Sequence, residues 1–380
     1  MIEPKPMLRG DWSAVVHGGV DPAELAREGM TADGLLDFSA NLNPFGPSPA
    51  VAEAIRATRV DCYPDRQCRA LQQRLAERLR VEVDEVMLGN GSVELIYLLA
   101  GAYVSVGERV LIVGPAFAEY ERACRLHGGE VAVVAASPAV GFAPPLEEVA
   151  ASLSPRPPRL VFINTPNNPT GQVVPRAVWR RWAADYPQTL WVLDEAYLDC
   201  LDDDATTPAD STTTQPDADV DGHMPPNVLR LRSLTKAHGL AGLRLGYALA
   251  RRHILAPLRL LQPPWSVNAL AQAAGLAVLA DTEHLQQTRT RWHAAKRELV
   301  GALVEIGLVP VPSAVPFFLV RVPNAARVRE RLLHRGLLVR DAASFGLVDH
   351  LRICARGPSD NRRLVQALAE LRREAEGWGG

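Results

Sequence analysis

Hydrophobic positions along the chain switch between two periods. Arg109–Gly114, Leu160–Asn164 and Leu190–Asp194 are short apolar runs, the pattern of strands covered on both faces. Leu71, Leu75 and Leu79 recur four apart, and Leu95, Leu98 and Leu99 mark a second apolar stripe, so both stretches read as helices. Strands separated by helix-length segments predict βαβ units and a mostly parallel sheet, with ligands at the carboxyl ends of its strands. Beyond about residue 275 the pattern becomes helix, strand (316–321), helix, strand (337–340), strand (351–354) and a last helix, which predicts a small α+β domain with an antiparallel sheet. The expected division is an arm at 1–44 belonging partly to the small domain, a large domain at 45–275, and a small C-terminal domain at 276–380. Residues 201–227 are acidic, rich in Thr and Pro and poor in large apolar residues. They read as a flexible solvated insert without a catalytic role.

Composition narrows the class. Of 380 residues 47% are hydrophobic and 22% charged, ordinary for a globular protein, and the formal net charge of -2 argues against nucleic acid as a partner. No run approaches the ~20 apolar residues of a membrane span, and the N-terminus lacks the apolar core of a signal peptide. Five cysteines without CxxC spacing disfavour a disulfide framework or a zinc ribbon, so a reduced cytoplasmic location is expected. There is no HExxH and the nine histidines are scattered, so no metal site is expected. Lysine is scarce: three against 38 arginines. Lys5 lies near the terminus and Lys296 in a charged helical stretch. Lys236 lies among small and apolar residues, and is the lysine to which chemistry is assigned.

Four segments share one logic. LGNGSVE (88–94) opens a helix after two glycines, so Gly91, Ser92 and Val93 offer backbone N–H groups to a phosphate, although a plain helix cap has the same appearance. NTPNNPTG (164–171) follows a strand and fixes an extended turn that carries Asn168. DEAY (194–197) ends an apolar strand, and Asp194 is costly there without a cationic partner. In SLTK (233–236) a desolvated Lys236 gains a lowered pKa and serves as a nucleophile toward an aldehyde, while Ser233 and the Arg244 fork suit a phosphate. Together they ask for an aldehyde, a phosphate, a basic ring nitrogen over Asp194, and a ring oxygen near Asn168 and Tyr197. Pyridoxal 5′-phosphate has all four.

With these motifs in this order, the chain resembles the fold-type I PLP-dependent enzymes of the class I/II aminotransferase superfamily, from about residue 17 to 372. The resemblance implies an α/β architecture with a three-layer αβα large domain, and a homodimer with shared active sites. It places Phe117 against the pyridine ring and Tyr63 at the cofactor phosphate of the neighbouring subunit. It implies catalytic roles for Lys236, Asp194 and Tyr197. Arg352 matches the position that grips a substrate carboxylate, and Arg340 one that helps hold a substrate phosphate.

Two subfamilies share these features. HGG (17–19), LDFSANLNP (36–44), AFAEY (116–120) and PWSVNA (264–269) resemble threonine-phosphate decarboxylases, in which the His (here His17) lies at the substrate phosphate and the Asn (here Asn41) lines the site. The expected reaction on that basis is decarboxylation of O-phospho-L-threonine to (R)-1-amino-2-propanol phosphate for cobalamin synthesis. GNGS and a Tyr at position 197 lean instead toward histidinol-phosphate aminotransferases, the alternative. Both take a phosphorylated amine. A non-catalytic regulator is disfavoured, since no basic helix-turn-helix pattern precedes residue 36.

Overall fold

A computed structural model describes residues 3, 5–8, 17–202 and 224–374. Its strands are β1 (Leu36–Asp37), β2 (Val86–Asn90), β3 (Arg109–Gly114), β4 (Glu130–Ala135), β5 (Leu160–Asn164), β6 (Leu190–Asp194), β7 (Val228–Ser233), β8 (Leu245–Ala250), β9 (Phe317–Arg321), β10 (Leu337–Leu338), β11 (Arg340–Ala342) and β12 (Leu347–Cys354). Seven form the central sheet, in the order β2-β8-β7-β6-β5-β3-β4. It is parallel except for β8, which runs against both its neighbours. The three apolar runs read from the sequence are β3, β5 and β6, at the bounds expected.

Alternation along these strands feeds two cores. Leu111, Val161, Ile163, Trp191 and Leu193 face one side with Leu71, Leu75, Trp179 and Trp182. Val110, Ile112, Leu160, Phe162 and Val192 face the other with Leu95, Leu99, Tyr120 and Leu255. The helices Arg69–Leu79 and Ser92–Tyr103 that contribute these leucines are the two expected from spacing. Both sheet faces are therefore covered, which is why the strands read as continuous apolar runs.

The chain leaves β3 for the edge strand β4 and returns as β5 on the other side of β3. That reversal, together with the carboxyl ends of β5, β6 and β7, opens a crevice of the kind that binds ligands in open α/β sheets. A second sheet, β11-β12-β9, is antiparallel as expected. The strand expected at 337–340 is two: β10 pairs in parallel with β1, and β11 turns to pair with β12. A third core joins Phe38, Trp292, Phe317, Phe318, Leu351 and Leu364, and it also takes in Tyr197 and Ala237 beside the crevice.

Of the insert expected at 201–227, residues 203–223 lie outside the described residues. Its far end is part of the fold. Met224 is buried, and the Asn227 side chain donates to the carbonyls of Ala183, Tyr186 and Thr189 at 3.0–3.1 Å. Among the described residues no helix is long and apolar enough to cross a membrane.

Candidate active site

Neighbouring strand ends build the floor. Asn164 and Asp194 are register partners at the carboxyl ends of β5 and β6. The Asn164 amide donates to the Asp194 carbonyl (2.9 Å), and its oxygen accepts from the Asn168 backbone N–H (2.7 Å). This bond anchors the turn that presents Asn168. Asp194 is buried, and its carboxylate accepts from the Tyr120 hydroxyl (2.6 Å) and the Ala196 N–H (2.9 Å). Burial raises its pKa, while Tyr120, Ala196 and Lys236 hold it down. Tyr120 is itself fixed by stacking on Phe162, with centroids 4.8 Å apart.

Lys236 sits on the turn after β7, and its carbonyl accepts from the backbone N–H groups of Asn43 and Gly239. The Asn43 side chain ties the same turn to Thr288 by bonding the Ala237 carbonyl (2.9 Å) and the Thr288 hydroxyl (3.0 Å). Burial, then the charges of Arg244 and Arg352, lower the Lys236 pKa to about 8. Its Nζ lies 5.8 Å from the centre of the Tyr197 ring. Tyr197 is pushed up to about 12 by burial, and its hydroxyl accepts from Asn41 at 3.3 Å.

At the opposite end, Gly91 (φ +77°) precedes the helix Ser92–Tyr103. A Cβ on Gly91 would lie 2.7 Å from the Arg244 guanidinium, and one on Gly246 would lie 2.5 Å from the Ser92 nitrogen. Arg244 itself adopts φ +59°, a strained conformation for a side-chain-bearing residue. Ser233 and Thr235 share a hydroxyl hydrogen bond of 2.6 Å. The helix N-terminus, the guanidinium and the hydroxyls form one electropositive cradle.

These residues line a single crevice: Ser92, Val93, Phe117, Asn168, Asp194, Tyr197, Ser233, Lys236 and Arg244, joined by Tyr120, Asn164, Ala196 and Thr235. The first nine were expected from sequence. Tyr120 and Asn164 lay inside quoted motifs but carried no expected role. Their contribution is a hydrogen bond to Asp194, which depends on strand pairing and leaves no local signal.

The substrate candidates sit at one side. Arg340 and Arg352 are register partners on β11 and β12. Arg352 is buried, and its fork donates to Asn168 Oδ1 and the Ser39 carbonyl. Its Nε has no hydrogen-bond partner, nor does Asn41 Oδ1. Arg340 donates to the His17 carbonyl (3.2 Å) and the Ser344 hydroxyl (2.6 Å), and burial, with Arg352 beside it, pulls its pKa to about 10. His17 is half-exposed, with its ring centre 5.5 Å from that of Phe117. Tyr63 stands apart from the crevice, 80% exposed and stacked on Trp265 at 4.6 Å.

The donor set matches a ligand with an aldehyde, an anionic tail and a basic heterocycle, since amine, cradle and buried acid occur once each in one crevice. The family model described as aminotransferase class I and II matches residues 33–368. The chain belongs to that family, and its cofactor is pyridoxal 5′-phosphate. Among solved structures, a histidinol-phosphate aminotransferase from Sinorhizobium meliloti in complex with pyridoxal 5′-phosphate superposes with a TM-score of 0.82 at 27% identity, over 94% of this chain and 95% of that one. The curated histidinol-phosphate aminotransferase of Symbiobacterium thermophilum is 40% identical over 91% of this chain and 93% of its own length. That of Moorella thermoacetica is 33% identical, over 92% and 89%.

These relatives overturn the expected decarboxylase. An L-threonine-O-3-phosphate decarboxylase from Porphyromonas gingivalis also shares the fold, with a TM-score of 0.76 and 27% identity over 88% of this chain and 99% of that one. The strings that suggested it serve architecture. Gly18 has no room for a Cβ beside Ser39 and Arg352, and Phe38 is core. Tyr120 braces Asp194, and Asn268 caps the helix Ala269–Ala280. None of these tasks selects which substrate bond breaks.

Proposed function

We propose that the protein is a PLP-dependent aminotransferase that moves an amino group between histidinol phosphate and 2-oxoglutarate, and that it works as a homodimer with shared active sites. The observation that carries the substrate reading is the pair of arginines, Arg340 and Arg352, side by side at the wall next to Asn168. A transaminase must take two different substrates in turn at one site. Here they would be a phosphate monoester and a dicarboxylate, and two adjacent cations serve both. Arg352, with a free Nε donor, suits a planar carboxylate. Arg340 remains charged at neutral pH with its pKa near 10, and suits the phosphate or the distal carboxylate.

When bound, the cofactor supplies an aldehyde that captures the amine and a ring that withdraws electrons from the substrate. Asp194 holds a proton on the ring nitrogen, its charge kept available in a buried place by the Tyr120 and Ala196 donors. Gly91, Ser92, Val93, Ser233 and Arg244 would hold the phosphate, and Phe117 would lie against the ring. Lys236, buried beside Asp194 and Tyr197, would be the base that takes the proton from the substrate carbon bearing the amine and would hold it at Nζ. An amine with a pKa near 8 is matched to both directions at neutral pH. Tyr197 and Asn168 orient the ring oxygen. Tyr63, exposed in the single chain, would complete the neighbouring subunit's phosphate site.

The test is a paired assay of the purified holoenzyme. Formation of glutamate from histidinol phosphate and 2-oxoglutarate is the expected result. Carbon dioxide release from O-phospho-L-threonine, without need for a keto acid, would overturn it.

A further inference from the structure

Asp37 ends β1, does not line the crevice, and has no part in the chemistry above. One of its carboxylate oxygens accepts three donors: the Ser39 backbone N–H and hydroxyl, both at 2.7 Å, and the Ala40 N–H at 3.2 Å. An aspartate bonded to its own backbone two residues on closes a tight turn. The strands hold the entry to that turn. The Phe38 N–H donates to the Leu338 carbonyl, and the Phe38 carbonyl accepts from the Cys354 N–H. The Ser39 hydroxyl, its proton given to Asp37, accepts from the Gly19 N–H at 2.7 Å. A Cβ on Gly18 would lie 2.3 Å from the Ser39 carbonyl oxygen, so that carbonyl is packed as well as bonded.

The turn aims the buried Ser39 carbonyl at Arg352. That carbonyl accepts from one terminal nitrogen of the guanidinium, and Asn168 Oδ1 accepts from the other. Asn168 is set by the strand-end turn and Ser39 by Asp37, so both supports of the fork are in place before a substrate arrives. Nε is the nitrogen left without a partner. A carboxylate makes two parallel bonds to a guanidinium only in its plane, so the direction of the fork decides whether it binds. Burial lowers the Arg352 pKa, and Tyr197, Cys354 and Asp37 oppose that shift. Asp37 thus offers a turn and a charge. All three of its side-chain hydrogen bonds lie within the turn, and none goes to the guanidinium.

We propose that Asp37 is a positioning residue for the keto-acid half of the reaction: by closing the turn at 37–40 it holds the Ser39 carbonyl on Arg352, and so fixes the direction in which the guanidinium meets a substrate carboxylate. This role rests on the aminotransferase reading above. It adds a residue that discriminates between the two substrates, since histidinol phosphate carries no carboxylate. Three substitutions divide the turn from the charge. Asp37→Asn keeps an oxygen for the Ser39 and Ala40 donors and loses the charge. Asp37→Glu keeps the charge, but its carboxylate sits one methylene further out and overshoots the three donors. Asp37→Ala keeps neither.

The experiment uses the holoenzyme of the native chain and of the three variants. Glutarate, an unreactive dicarboxylate, is titrated calorimetrically, and steady-state constants are measured for 2-oxoglutarate and histidinol phosphate. Asp37→Ala and Asp37→Glu are expected to weaken glutarate binding and raise KM for 2-oxoglutarate about tenfold, the scale of one hydrogen bond lost at a charged group. Asp37→Asn should stay within about twofold of the native chain, and in all three variants kcat and the KM for histidinol phosphate should move less than about twofold. Unchanged glutarate affinity in Asp37→Glu, a damaged Asp37→Asn beside a native-like Asp37→Glu, or equal losses for both substrates would each overturn the proposal. Should Asp37→Ala fail to fold, Asp37→Glu carries the same test. If glutarate binding responds as expected but no amino group passes from histidinol phosphate to 2-oxoglutarate, the overall function is wrong while the role of Asp37 stands.

Discussion

Replacing Tyr120 with Phe isolates the electrostatics of the floor. The ring keeps its stack on Phe162, so packing is conserved, and only the hydroxyl on Asp194 Oδ2 is lost. Asp194 then retains the Ala196 N–H on its other oxygen and the more distant charge of Lys236. A hydrogen bond to a buried charged group contributes about 1.5–3 kcal/mol, and no water replaces it in a site this buried. The loss depends on pH with a definite sign. Burial already raises the folded pKa of Asp194 above its ordinary value. Folding therefore favours the protonated acid, and stability falls as pH rises from the ordinary carboxylate range through the folded value. Removing the Tyr120 hydrogen bond, the largest influence holding the value down, raises it further and widens the window. Urea unfolding of the cofactor-free protein should show Tyr120→Phe less stable by ~2 kcal/mol near pH ~8.5 and by less near pH ~5.5. Equal losses at both pH values would refute a role through the Asp194 charge and leave only packing.

Two further outcomes follow from the same geometry. With the Lys236 pKa near 8, the rate at which cofactor-free protein takes up pyridoxal phosphate, followed by absorbance, should climb with pH and level off just above 8; a climb continuing to the ordinary lysine range would contradict its burial, and Lys236→Ala should abolish the absorbance band. Gly171→Ala puts a side chain at φ +72° and on top of Ser313, straining the turn whose Asn167 carbonyl accepts the Gly171 N–H; the αL penalty alone is about 1–2 kcal/mol, so faster cofactor loss on dilution is expected, and a native rate would show that the turn tolerates the shift.

What could be read from sequence was what local patterning carries. Strands β3, β5 and β6 are covered on both faces, so their apolar runs stood out, and the motifs at their carboxyl ends fell together as parallel topology requires. Strand β4 stands at the sheet edge with a half-exposed pattern and gave no comparable signal. Strands β10 and β11 were merged because nothing in LLVRDA shows that its first half pairs with residues three hundred positions earlier. The lining of the crevice was legible because its motifs answer one demand, for an amine, an acid and a phosphate cradle in fixed relation. Tyr120 and Asn164 were not, because each acts through a hydrogen bond that only long-range pairing creates.

The mistaken reaction has the same origin. Motifs concentrate where the backbone must fit closely around the cofactor: Gly91 under Arg244, Gly246 against Ser92. Any enzyme that holds the same molecule in the same crevice keeps those constraints, whatever bond it breaks. Under the proposed function the choice of bond lies with the few groups that would orient the substrate: the Arg340–Arg352 pair, Asn41 with its unpartnered oxygen, and His17, which is hydrogen-bonded to Glu119. These sit on separate segments and meet only through the pairing of β11 with β12 and the passage of residues 17–19 beneath Arg352. Swapping the substrate-facing side chains alone, with every cofactor motif kept, should therefore be enough to change which amine is accepted.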